Sequence, residues 1–202
     1  MSDYAQPPQR KKTAFNNNKL TLSTPLPNNK GVYSVLSFDI FKNNPRLVVA
    51  TKDPSLMNKD NSFGKITAAL DPAVFYMLLQ YLDIAIQATG PVKNKLENSN
   101  HEFEGGQRSQ EIRHLTDVWV GRDQEGHVFI SVVSTKPNWP VLKFVFGPSD
   151  NRYHKFIKGD GTPWSRAELS VLGAKAYYNL LTQLAAAVLN TKDRKSTRLN
   201  SS

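Results

Sequence analysis

The chain contains no cysteine. That absence removes disulfide frameworks, thiolate nucleophiles, cysteine-ligated zinc and iron–sulfur clusters, and it fits a reducing, cytoplasmic setting. No stretch approaches the ~18 uninterrupted apolar residues of a membrane span, and no N-terminal apolar segment reads as a secretory signal. Glycine-rich phosphate loops are missing: there is no G-x-G-x-x-G, and Gly121 to Gly126 leads into His127, not into lysine and serine or threonine. The four histidines, His101, His114, His127 and His154, are scattered, with no H-x-x-x-H pair and no carboxylate cluster at metal-ligand spacing. They read as surface or turn residues. No nucleophile-elbow sequence exists, and Gly159-Asp160-Gly161-Thr162 reads as a turn and not as a metal loop. The expectation is a protein with no enzymatic activity, metal or cofactor. Acids are also scarce: 17 Asp and Glu against 26 Lys and Arg give a formal charge of +9, which points to polyanionic partners.

What is present suffices for a folded core. In 202 residues, 39% are hydrophobic, enough for one large domain or two small ones. The two ends stand apart from this. Residues 1–18 carry Pro7, Pro8, Arg10, Lys11, Lys12 and an Asn16-Asn17-Asn18 run, with too few apolar side chains to offset ordering entropy; they read as a flexible basic arm. Residues 193–202, Asp193 to Ser202, resemble the in-frame translation of a short-read sequencing adapter. They read as an assembly scar on a sequence from environmental DNA, with the natural C-terminus beyond about Lys192 missing. Removing its three cations and one anion leaves a charge of +7.

Between these ends the chain repeats one order of elements. The first pass runs from a short apolar stretch at Leu20–Ser23 through alternating segments at Val32–Lys42, Arg46–Lys52 and Gly64–Leu70. A helix follows, opened by Asp71-Pro72, an N-cap carboxylate with proline at the first helical position, and closed by Gly90-Pro91. Val74, Phe75, Leu78, Leu79, Leu82 and Ile86 share one face of it. The second pass has segments at Val92–Leu96, Ile112–Gly121, His127–Thr135 and Val141–Phe146. Its helix opens with Ser165-Arg166-Ala167-Glu168, a capping box, and carries a stripe of Leu169, Leu172, Ala176, Tyr177, Leu180, Leu184 and Val188. The expectation is an α+β fold of two ββββα repeats, residues 19–90 and 92–190, forming one domain over 19–192, with a linker near Pro91–Gln110. The sheets are antiparallel, and each helix packs on one face of its own sheet and leaves the other open.

Side-chain alternation then assigns the open faces. With Val32, Leu36, Phe38, Ile40, Leu47, Val49, Ile66 and Ala68 inward, Tyr33, Phe41, Arg46, Lys52 and Lys65 point out. With Ile112, Val118, Val120, Val128, Ile130, Val132, Leu142 and Phe144 inward, Arg113, Trp119, Phe129 and Lys143 point out. Cations and aromatics interleaved on one face suit an unpaired nucleic-acid strand: cations neutralise phosphates, and rings accept bases at ~1–3 kcal/mol each. The same aromatics also suit cross-strand pairs or a face covered by a second subunit. Trp139, on a loop with Lys136 between Pro137 and Pro140, is a further candidate, exposed by context or folded onto the core.

The pattern resembles the Whirly proteins and the related positive-cofactor-type transcriptional coactivators. The resemblance rests on His114-Leu115-Thr116-Asp117-Val118-Trp119-Val120, the Gly126 turn, His127-Val128-Phe129-Ile130-Ser131-Val132 and the Ala167-Glu168-Leu169-Ser170-Val171-Leu172 helix start. Gly64–Leu70 running into Asp71-Pro72-Ala73-Val74-Phe75 is similar in layout, and the likeness spans roughly Lys19–Asn190. The lysine-glycine-lysine-alanine motif of plant Whirly proteins has no counterpart in the first strands. The resemblance implies single-stranded DNA binding without sequence preference and assembly through the helices, as a homo-oligomer, dimer or tetramer. With no transit peptide and an environmental origin, the implied role is in bacteriophage replication or recombination, with replication proteins as partners through the lost tail. RNA binding or transcriptional regulation on the same fold, and a virion or assembly protein, are the alternatives. An OB-fold suits the two helices poorly.

Overall fold

The computed structural model describes residues 20–41, 44–58, 63–104, 107–147 and 154–189. The basic arm and the adapter-like tail lie outside the described residues. Within them the protein is α+β, with two antiparallel four-stranded sheets and two helices. The first sheet is β1 (Thr21–Ser23), β2 (Val35–Phe41), β3 (Asn44–Ala50) and β4 (Lys65–Ala69), neighbouring in that order. Helix α1 (Pro72–Gln87) leads to the second sheet, β5 (Val92–Glu104), β6 (Gln107–Arg122), β7 (Val128–Ser134) and β8 (Lys143–Val145), again in chain order. Helix α2 (Arg166–Leu189) follows. None of the helices described is long and apolar enough to cross a membrane.

Alternation works where one strand face is buried. Leu36, Phe38 and Ile40 of β2, Leu47 and Val49 of β3, and Ile66 and Ala68 of β4 point into the core. Val118 and Val120 of β6, Val128, Ile130 and Val132 of β7, and Phe144 of β8 do the same in the second sheet. Val32 does not: β2 begins at Val35, and Val32 lies exposed ahead of it. The hairpin between β2 and β3 is also tighter than the sequence suggested, since Asn44 already pairs with Phe41.

Both helix starts follow local chemistry. The Asp71 carboxylate accepts the Val74 amide at 2.8 Å, with proline at the first position. Ser165 and Glu168 close the capping box reciprocally: the Glu168 amide donates to Ser165 Oγ at 3.2 Å, and the Ser165 amide to Glu168 Oε2 at 2.8 Å.

Three expectations are corrected. First, Pro91–Gln110 is no linker: it forms β5 and the start of β6, arms of one long hairpin. Its outer half is largely polar, so it carries no clear alternation. Second, α1 does not keep to its own sheet. It packs on β3 but more extensively across β5, β6 and β7. The Asn98 amide group donates to the Ala69 carbonyl at 2.7 Å, and the Arg122 guanidinium donates to the carbonyl of Ala88, which ends the helix. Both sheets therefore feed one apolar cluster. Third, the α2 stripe holds only in part: Tyr177 and Leu184 pack against the core, but its fully buried positions are Ser170, Ala174, Leu181 and Ala185, while Leu172, Ala176 and Leu180 are exposed. Close approach explains the shift: a Cβ on Gly173 would lie 2.7 Å from the Gly147 amide nitrogen, so small residues face the sheet where the backbones meet.

The α2 start supplies a pH test. The Lys158 ammonium, 2.7 Å from Glu168, together with the Ser165 amide, holds the Glu168 carboxyl at about 2 against an ordinary 4.5. A depressed folded value means the contribution is complete above 4.5 and is lost as pH falls towards 2. Thermal unfolding of Glu168→Gln should therefore approach that of the wild type as pH falls through this window. Two curves that stay parallel would show that the pair contributes nothing.

Candidate nucleic-acid interface

The register of the second sheet lays out its open face in rows. Lys93, Gly121, Phe129 and Val145 form one row; Lys95, Trp119, Ser131 and Lys143 the next; Glu97, Asp117 and Val133 a third. The Lys93 ammonium lies 4.0 Å from the centre of the Trp119 ring, that of Lys95 5.4 Å, and Lys143 lies 4.9 Å from the Phe129 ring. Of the eleven residues singled out in the sequence, this face gathers Trp119, Phe129 and Lys143. Lys93 and Lys95 were missed, although their alternation in Val92-Lys93-Asn94-Lys95-Leu96 was the available signal.

Trp119 and Phe129 stand at different heights. Trp119 is half-buried, but Phe129 is only 7% exposed although it points to the open side. Gly121 causes this: it presents no side chain opposite Phe129, and a Cβ there would meet Phe129 Cζ at 3.2 Å and the Val92 carbonyl oxygen at 2.1 Å. The ring settles over the glycine backbone and becomes the floor of a recess of about 440 Å³, walled by Pro91, Trp119, Val141 and Asp123.

The other candidates lie elsewhere. At one end of the first sheet Phe41 closes β2 under the Arg46 guanidinium, 4.5 Å from its ring centre, and Arg46 is ion-paired to Asp39 across the strands. Tyr33 lies at the opposite end, ahead of β2, where Lys52 follows β3 and Lys65 starts β4. Phe63, also missed, is half-exposed there with the Lys65 ammonium 5.2 Å from its ring. Tyr33 and Phe41 thus lie at opposite ends of β2, itself roughly 20 Å long at 3.3 Å per residue.

Arg113 and Ile112 require a correction. Asn98 pairs with Thr116 but Ser99 with His114, so Leu115 is an extra residue on β6. Parity inverts beyond it. Ile112 is 66% exposed instead of buried, and Arg113, paired with Asn100, shares the face of the buried Asn98. There Arg113 and Lys136 both approach Glu102, at 3.7 and 2.5 Å. The Lys136 ammonium holds that carboxyl below its usual range. Trp139 packs against the apolar core, the second of its two readings.

Carboxylates already sit among these cations. Lys95 contacts Glu97 at 2.6 Å and Asp117 at 3.5 Å, and Lys143 contacts Asp123. Burial alone would raise the Asp123 carboxyl, but the Lys143 ammonium and the His127 amide outweigh it and hold it low. Among the described residues no ion pair joins Lys93 to a carboxylate, although Asp123 lines the same recess. Asp123, Glu125 and His127 bring ligand atoms within 4.8 Å of one another, but Asp123 is occupied by Lys143 and by the Glu125 and His127 amides. That grouping is a capped turn with an ammonium beside it, poorly suited to a cation. Asp160, likewise, caps a turn by accepting the Thr162 amide and hydroxyl.

No family model, curated protein or solved structure matches the chain.

Gly121→Ala should destabilise the fold by about 1–3 kcal/mol, because the new methyl meets backbone and not a movable side chain. Urea unfolding checks this, and an unchanged midpoint would mean that β5 and β6 shift apart freely.

Proposed function

We propose that the chain is a non-enzymatic, cytoplasmic protein that binds single-stranded DNA without marked sequence preference, in bacteriophage replication or recombination. The observation that carries this reading is the row Lys95–Trp119–Ser131–Lys143 beside Lys93 and Phe129: rings and ammonium groups interleaved on a sheet face away from the helices. The repeated ββββα order supports a Whirly-like reading of the architecture.

Each ammonium on this face rests on a ring. A base that stacks on Trp119 displaces the flexible lysine, and the freed cation meets the phosphate of the same nucleotide. Stacking and neutralisation are then one exchange, indifferent to base identity. Glu97 and Asp117 make the third row anionic, so the strand follows the first two rows. RNA offers the same phosphates and bases; discrimination would need contacts to the 2′-hydroxyl.

Fluorescence anisotropy of a labelled 12-mer, with duplex DNA and RNA as competitors, tests the reading. Binding should weaken with salt, and duplex should compete poorly. Trp119→Ala should cost about 1–3 kcal/mol, and Lys93→Gln should lower the salt slope by about 0.7. Absence of binding at low salt would overturn the proposal and favour a virion or assembly role. Equal competition by RNA would broaden the ligand to both sugars.

The helices carry the second part of the proposal, self-association. Met77 and Ile84 of α1, one heptad apart, and Leu172 and Leu180 of α2 are exposed. Met77→Glu should shift the sedimentation coefficient of the assembly towards that of a monomer. A wild-type chain that already sediments as a monomer at micromolar concentration would refute it.

A further inference from the structure

One edge of the second sheet stands open. Strand β5 pairs only with β6, and among the described residues the backbone of residues 92–98 makes no hydrogen bond on its other side. An open edge offers amide and carbonyl groups to another strand, and folded proteins usually guard it with proline, a bulge or an inward charge. Here Pro91 lies just ahead of the stretch, and the register shift at Asn98 and Ser99 lies just behind it. Residues 92–98 themselves hold no proline, glycine or bulge. Their positions on the core side are Val92, Asn94, Leu96 and Asn98, none of them charged, while Lys93, Lys95 and Glu97 stand on the open side.

The order of charges along this edge favours a second copy as its occupant. Two copies that keep their open faces on one side pair antiparallel about a two-fold axis normal to the sheet. Each residue then meets one of its own parity, so the axis passes through a residue and not between two. An axis at Lys93, Lys95 or Glu97 sets a charge against itself, and one at Asn94 sets Lys93 against Lys95. An axis at Leu96 places Lys95 opposite Glu97 of the second copy, twice by symmetry, and Lys93 opposite Ser99. Of the axes through residues 93–97 it alone opposes no like charges. On the core side Leu96, already packed against the apolar cluster, meets Leu96 of the second copy.

We propose that β5 pairs with β5 of a second copy, centred on Leu96, to form one eight-stranded sheet. Lys95 holds Glu97 of its own chain at 2.6 Å, so the contact closes an alternating square of four charges. The two β6 strands, each carrying a Trp119, then lie three strand spacings apart, roughly 14 Å at 4.8 Å per strand. The open faces of both copies adjoin on one side. The inference rests on the self-association part of the reading above, gives it a specific contact, and does not depend on strand binding.

Lys95→Glu and Glu97→Lys test the register, because each leaves a single sign of charge on the edge. Sedimentation velocity of either full-length variant alone should show dimerisation weakened about tenfold. Mixed in equal amounts, the two should associate again to within about threefold of the wild type, since each supplies the charge that the other lacks. Mixing cannot restore the pair within one chain, so recovery reports contact between chains. Amide exchange of the wild type reads the same contact without a substitution: outward amides among residues 92–98 should be slowed at high concentration and released on dilution. Exchange there that ignores concentration overturns the pairing whatever the variants do. If the wild type assembles but neither variant changes it, or mixing restores nothing, the pairing fails and the helix faces carry the assembly. If the wild type stays monomeric at micromolar concentration, this inference and the self-association reading fall together, while strand binding is decided by its own assay.

Discussion

The arrangement depends on the apolar seam where two sheets share one core, and Tyr177 lies on that seam. Its ring meets Phe38 of β2 at 6.3 Å and Phe146, just beyond β8, at 5.4 Å. Its hydroxyl donates to the Thr21 carbonyl of β1 at 3.0 Å. One side chain of α2 thereby ties the first strand of one sheet to the last of the other. Burial pushes the phenol up, so it stays protonated and keeps donating. A buried tyrosine must place its hydroxyl on a partner, and here the partner lies across the repeat boundary.

That shared core determines where a polar ligand can sit. Helix α1 crosses from β3 onto β5, β6 and β7, so the buried side of the second sheet is committed to holding the repeats together. The other side is the one to which the proposed strand is assigned. The first sheet differs: its outward strand positions are mostly small or β-branched, as in Val35, Ser37, Val48, Ala50, Thr67 and Ala69, and its aromatics lie at the ends. Two repeats with the same element order therefore present unlike faces. The proposed interface is assigned to the second sheet because Trp119 and Phe129 occupy adjacent rows there.

How much of this was legible follows from the range of each determinant. Helix starts were readable, because Asp71 acts on Val74 and Ser165 on Glu168 within one turn. Strand parity was readable wherever one face is buried, as in Leu36–Phe38–Ile40. The bulge at Leu115 was not, because a bulge is defined by its partner strand; missing it turned Ile112 inward and Arg113 outward. The outer part of the β5–β6 hairpin was hidden by being largely polar. The α2 stripe was misread in part, at Leu172, Ala176 and Leu180, because apolar size was weighed above closeness of approach: Gly173 and Ala174 face the sheet while Leu172 and Leu180 do not. The recess was invisible for the same reason, since its depth is set by the side chain that Gly121 lacks.

A formal charge of +9 suggests a surface of free cations, yet the face that best fits a nucleic acid is largely neutralised. Lys95 and Lys143 hold carboxylates, and Lys93 holds a ring. A phosphate arriving here substitutes one partner for another instead of filling an empty field. Exposed ion pairs are each worth ~0–1 kcal/mol, so the exchange is cheap. Its electrostatic gain is correspondingly small, and stacking must carry a larger share of affinity than the net charge implies. The contribution of Trp119 relative to that of the lysines is therefore the quantity that separates a built interface from a merely basic surface.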